Sequence, residues 1–290
     1  MPPDILFALI CSVLFGGAAA LQKRAIDANV AEGWGKVAKS RRWLTGVLME
    51  LVGDGLYLLA VLMPGARLVV IQPIVASHFV FAMAFGVFLL RELLGVRDRV
   101  AAGLLLAGGG IVALGGAMDR PEADGAMSDG FALRLAFAAL LAGVLIARRV
   151  LARWRTPRTR EVMFAILSGL SFSMSVVASK IASFQYRQQF GWPPVREVFG
   201  WAFTTAAPWL MVFGNVLGFI LLQVALRHGR VSMVSPIVGL VSMIMPMAIS
   251  VAALGEHLSG ATGAGAALVV GGLVVLLSGA AGEDVKEGVA

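Results

Sequence analysis

Along this chain, apolar runs of about 20 residues alternate with shorter polar or basic stretches. Nine such runs lie at about residues 4–22, 43–63, 67–90, 99–118, 131–150, 161–183, 206–226, 231–254 and 260–280. A helix that crosses a bilayer needs about 20 mainly apolar residues, so the pattern predicts nine spans, numbered one to nine in chain order. They use up most of the 290 residues and leave no room for a separate soluble domain. Any chemistry therefore takes place between helices. Two segments interrupt the alternation, residues 24–42 and 184–205. The first reads as a loop. Within the second, residues 195–205 read as a helix lying in the headgroup plane, with Trp192, Phe199 and Trp201 as aromatic anchors.

Composition agrees with a membrane protein. The chain is 59% hydrophobic and 14% charged, with a mean hydropathy of +0.86, against roughly 25% charged residues in a soluble domain. A formal charge of +7 would suggest a nucleic-acid partner in a soluble protein. Here the basic residues fall between apolar runs, so they orient the chain in a lipid bilayer and no nucleic-acid partner is expected. The connections after spans one, three, five and seven, with the C-terminal tail, hold 18 of the 24 Lys and Arg, and the opposite face holds 4. The positive-inside rule then places the N-terminus outside and the C-terminus in the cytoplasm, in the plasma (inner) membrane. The other two, Arg134 and Lys180, lie near helix ends and are expected to snorkel to the outer interface. The single Cys11 excludes an intrachain disulfide framework and a multi-cysteine metal site. Met1-Pro2-Pro3-Asp4 has no basic region ahead of the first run, so that run is expected to stay as a helix.

The chain also repeats itself. An offset of 163 sets Gln72-Pro73-Ile74-Val75 on Ser235-Pro236-Ile237-Val238, and Glu92 falls within one residue of Glu256. An offset of 162 sets Gly103, Gly109 and Gly110 on Gly265, Gly271 and Gly272, and one of 157 sets Phe7, Phe15 and Lys23 on Phe164, Phe172 and Lys180. An odd number of spans separates equivalent positions, so the halves are inverted. The expected organisation is a first four-helix repeat over 1–118, a linker with one extra span over 119–160, and an inverted four-helix repeat over 161–290. Inverted repeats of this kind mark secondary transporters, whose site lies near the midplane between the halves.

The run LVVIQPIVASHFVFAMAFGVFLLRELL, Leu68 to Leu94, followed by a glycine-rich helix, is similar to the proline-containing helix and terminal glutamate of the drug/metabolite transporter (DMT) superfamily. The run Arg227 to Leu258, RHGRVSMVSPIVGLVSMIMPMAISVAALGEHL, resembles the same element a second time. The superfamily's EamA-type members have five helices per half. Nine spans with an added central helix resemble its NIPA-like branch, proposed magnesium transporters. The NIPA pattern of Gly-Glu in helix two, a Pro-Ala turn and a proline in helix three corresponds to Gly53-Asp54, Pro64-Gly65 and Pro73. Asp54 stands where the pattern has Glu, and Gln72 where it has Thr. Span one lacks the glutamate of the small multidrug transporters.

Glu50 and Asp54 are the acids well inside a span. Each would cost on the order of 2.5 to 3.5 kcal/mol if charged and facing lipid, so both should face the bundle interior. One helical turn apart, they share a face and repel, which favours one shared proton or one shared cation. If Mg2+ is bound, they are its expected ligands. His78 and Gln72 in span three, Tyr57 in span two and Asn215 in span seven are expected to contact substrate, with Gln223 a further donor and acceptor. Ser168, Ser171, Ser175 and Ser179 read as a helix-packing surface. Pro73, Pro236 and Pro246 are expected bends that free carbonyls toward a cavity. The glycines at 108–110, 115 and 116 and at 271 and 272 read as close helix contacts, or more weakly as a homodimer interface.

No HExxH, P-loop or second intramembrane aspartate is present, so neither an enzyme nor a cofactor is expected. The expectation is an all-α polytopic membrane protein acting as a proton- or cation-coupled secondary transporter of a small polar metabolite or organic cation. The alternatives are Mg2+ transport and flipping of a lipid-linked carrier.

Overall fold

The computed structural model describes residues 2–63, 66–90, 95–118, 129–153, 157–190, 195–253, 256 and 259–287, and among them there are helices and no strand. The helices are α1 (Pro3–Asn29), α2 (Trp34–Lys39), α3 (Arg41–Leu62), α4 (Leu68–Ala76), α5 (His78–Phe85), α6 (Val96–Met118), α7 (Asp129–Arg153), α8 (Pro157–Phe190), α9 (Val195–Thr204), α10 (Ala206–His228), α11 (Val231–Ala253) and α12 (Gly260–Glu287). α1 and α8 each open on a proline, which fixes φ where no helical N–H is needed. α5 continues into a π-helical turn at Gly86–Leu90.

Among the described residues, seven helices are long and apolar enough to cross a membrane, and they fall on predicted spans one, two, three, five, six, seven and eight. Spans four and nine fall on α6 and α12, whose apolar described parts are Arg99–Val112 and Gly260–Gly272. The protein is an all-α, polytopic membrane protein. Its outer faces fit that solvent: Leu44, Leu48, Leu51 and Leu59 of α3 and Phe137, Leu141 and Leu145 of α7 are exposed, which costs nothing against lipid chains.

Residues 24–42 do not form the expected loop. α1 runs on to Asn29, a 3-10 turn spans Val30–Glu32, and α2 follows. No Gly or Pro interrupts residues 24–32, and Lys23 pairs with Asp27 one turn on at 2.8 Å. The chain turns at Gly33, whose φ of +93° favours glycine. Residues 195–205 are helical over α9, as expected. Trp201, however, is not a lipid anchor. It is buried and meets Tyr186 edge to face, because α9 packs on α10 and the end of α8 and not on lipid alone. Trp192 and the Phe199 side chain lie outside the described residues.

The most extensive pairings are α8 with α10, α6 with α12 and α1 with α3. α6 and α12 meet through bare backbone: a Cβ on Gly108 would lie 2.6 Å from Gly265 O, and one on Gly265 would lie 2.7 Å from Gly108 O. The contact is reciprocal in detail, since Gly108 also abuts Val269 and Gly265 abuts Val112. Gly108–Val112 thus matches Gly265–Val269 at an offset of 157, not at the 162 suggested by aligning glycines. Gly110 and Gly271 have nothing within 4 Å.

Candidate functional site

A cavity of ≈ 100 Å³ lies between α1, α3, α4, α5, α8, α10 and α11. Its walls hold Glu50, Asp54, Tyr57, Gln72, His78 and Asn215, so the structure brings all six expected contact residues together. Glu50 and Asp54 stand one turn apart on α3, and Asn215 of α10 lines the same cavity. Gln72 Nε2 donates to the Tyr57 hydroxyl at 2.7 Å, while the Ser179 hydroxyl of α8 donates to Val176 O at 2.8 Å. Tyr57 of α3 is therefore tied to α4.

Proline chemistry places His78. Pro73 sits inside α4, and the helix breaks one turn later at Ser77. The Ile74 carbonyl is taken up by Ser77 Oγ at 2.6 Å and by Ser12 Oγ of α1 at 2.8 Å. His78 Nδ1 lies 2.9 Å from Val75 O. A carbonyl only accepts, so Nδ1 carries the hydrogen, and a neutral ring leaves Nε2 as an acceptor. His78 is thus tied to its own helix, with Phe15 and Phe79 against its ring edges. α11 runs unbroken through Pro236 and Pro246.

The cavity walls pair off along the sequence. Phe15 and Phe172, and Ala19 and Val176, are related by an offset of 157. Gln72 and Ser235, and Val75 and Val238, are related by 163, and Glu50 and Asn215, and Tyr57 and Leu222, by 165. Partner positions are alike in place and unlike in charge: both carboxylates belong to α3. The serines of α8 behave mainly as packing groups. Ser168 Oγ donates to Gly218 O and Ser175 Oγ to Met211 O, each at 2.8 Å, although Ser175 also lines the cavity.

Two clusters escape the sequence reading. A chain of hydrogen bonds runs from Trp43 Nε1 to Gln223 Oε1 (3.1 Å), from Gln223 Nε2 to Gln22 Oε1 (2.5 Å) and from Gln22 Nε2 to Glu50 Oε2 (2.7 Å). The second cluster corrects the expectation for Lys180, which does not snorkel. It is 4% exposed, hydrogen-bonds Ala66 O and pairs with Glu256 at 3.5 Å. Glu256 in turn accepts from the N–H groups of Leu68 (3.1 Å) and Val69 (3.0 Å), capping the N-terminus of α4. A full set of partners is what holds the ammonium inside. Its repeat counterpart, Lys23, donates to Leu226 O at 3.1 Å and pairs with the exposed Asp27. The equivalent position Glu92 lies outside the described residues, as do Pro64 and Gly65. Among the described residues no group of three or more His, Cys, Asp and Glu is placed to hold a metal ion.

No family model and no solved structure matches the chain. Among curated proteins, it is 26% identical over 249 residues to the "Probable magnesium transporter NIPA9" of Arabidopsis thaliana, a match that covers 83% of this chain and 68% of that protein. With seven apolar spanning helices already described, that similarity agrees with the resemblance carried by Gly53-Asp54 and the Pro73 helix, and the chain is similar to a NIPA-like transporter of DMT type.

Proposed function

We propose that this protein moves a cation across the membrane by alternating access, and that Mg2+ is the cargo its site supports best. The observation that carries this reading is the pair Glu50 and Asp54 in the wall of an intramembrane cavity, ringed by the neutral oxygen donors of Asn215, Gln72 and Tyr57. Mg2+ dehydrates reluctantly and is usually held by one or two carboxylates while it keeps several waters. Two carboxylates in a cavity of this size suit a partly hydrated ion better than a fully protein-ligated one. The name of the Arabidopsis relative points to the same cargo.

In this reading there are nine spans. The inverted repeats 1–118 and 161–290 rock against each other about the cavity, joined by 119–160. The paired wall positions at offsets of 157, 163 and 165 support that arrangement. The eighteen basic residues on one face support a cytoplasmic C-terminus in a plasma membrane. A second reading, an organic cation or small polar metabolite exchanged for protons, is favoured by the rings of Phe15, Phe172 and Tyr57 in the same walls, which suit a soft cation.

The test is Mg2+ entry into proteoliposomes with an entrapped Mg2+ dye, with and without a pH gradient, for wild type, Asp54→Asn and Glu50→Gln. Saturable entry that falls by about tenfold or more in each variant, as expected when about 1.4 kcal/mol of a ligand's contribution is lost, supports the Mg2+ reading. No entry above empty liposomes, from folded protein, rejects Mg2+ and turns the assay to organic cations with a proton gradient.

A further inference from the structure

The chain Trp43, Gln223, Gln22, Glu50 has only one possible direction. An indole N–H donates and never accepts. The Gln223 atom facing Trp43 is therefore its carbonyl oxygen, which turns its NH2 toward Gln22. Gln22 must then present its own oxygen to Gln223 and its NH2 to Glu50. Both amides are buried, at 0% exposure for Gln22 and 5% for Gln223, so water offers them no alternative partner. One donor-only ring fixes two amides that could otherwise flip.

We propose that Trp43, Gln223 and Gln22 are positioning residues that hold Glu50 as an acceptor carboxylate, ready to receive a cation; the functional part of this inference rests on the cation reading above. A hydrogen on Glu50 Oε2 would meet the Gln22 N–H head on, so any proton on Glu50 is confined to Oε1. The relay also joins the two halves, since Gln22 and Glu50 come from α1 and α3 and Gln223 comes from α10. It is one-sided: the positions related by the repeat offsets to Gln22 and Gln223 are Ser179 and Leu58, which have no amide. The other titratable groups nearby are Asp54, Tyr57 and His78 in the cavity wall and Lys23, already engaged by Asp27 and Leu226 O.

Two substitutions separate orientation from packing. Trp43→Phe keeps a ring against Phe219, which Trp43 meets at 6.1 Å, and removes the donor. Gln223→Glu keeps shape but can only accept in its ionised form, so Gln22 must reverse and turn its carbonyl toward Glu50. A hydrophobic carbodiimide adds to a carboxylic acid and not to a carboxylate, so labelling of Glu50, read by mass spectrometry, reports its protonated fraction without reference to cargo. At fixed pH we expect labelling of Glu50 to rise about threefold to tenfold in Trp43→Phe, the equivalent of one hydrogen bond, and further in Gln223→Glu. The concentration of Mg2+ giving half-maximal entry should rise with it while maximal entry is kept. Unchanged labelling in both folded variants overturns the relay. If wild type carries no Mg2+ but labelling still rises, the relay stands and the cargo assignment alone fails.

Discussion

At Glu50 and Asp54, identity and neighbourhood together make the site. An acid in a span is expensive unless it faces water, a partner or a cation, and these two line a cavity where Gln22 donates to Glu50 and the Asn215 amide shares the wall. Asn215 occupies the wall position paired with Glu50, so Asn215→Asp would add a third carboxylate opposite Asp54. The expected outcome is slower Mg2+ release, seen in the dye assay as a lower half-saturating concentration and a lower maximal rate. Tyr57→Phe keeps the ring and removes the hydroxyl that accepts from Gln72. It should lower thermal stability in detergent by about 1 to 3 kcal/mol, because the buried Gln72 amide then lacks a partner. The six cavity-lining residues were legible in the sequence because a polar residue deep in an apolar run is conspicuous. Gln22 and Trp43 were not. Each lies within a turn or so of a basic stretch, where polarity needs no explanation, and only the fold sets them against Gln223.

Among elements, the crossing of α6 and α12 is the most demanding, because it is made by backbone. Gly108→Ala would drive a methyl into Gly265 O, and Gly265→Ala the reverse, each expected to cost about 1 to 3 kcal/mol from overpacking. Gly110→Ala meets open space and should be neutral, or stabilising by up to about 1 kcal/mol through helix propensity. Unfolding midpoints of the three variants in one detergent check the contrast. The sequence revealed that these helices are glycine-rich but not which glycines touch, since every glycine in the run looks alike until a neighbour is placed beside it. The same limit explains residues 24–42, where charge density suggested a loop and the absence of Gly or Pro before Gly33 lets the helix continue.

Across the whole molecule, Lys180 of α8 and Glu256, which follows α11, are tied together at the first turn of α4. Removing one charge strands the other in a buried setting. Lys180→Met and Glu256→Gln are each expected to destabilise by about 3 to 5 kcal/mol, and the double variant by less than their sum, which a double-mutant cycle by thermal unfolding would measure. Partners 76 positions apart could not be matched by spacing alone. The nine apolar runs were readable because a bilayer imposes one length on every crossing, whereas the pairing of side chains between crossings obeys no such rule.

The walls of the cavity pair by sequence offset but not by chemistry: Glu50 is matched with Asn215, and Tyr57 with Leu222. A carrier built from identical halves would present the same binding surface to either side and would saturate at the same concentration from both. In the proposed alternating-access cycle, both acids belong to the first repeat, so the two openings would be electrically unequal. Half-saturation from inside and from outside should then differ, while detailed balance obliges the ratio of maximal rate to half-saturation to stay equal in the two directions when no gradient drives the cycle. Such a protein responds to concentration differently on its two sides without expending energy to do so.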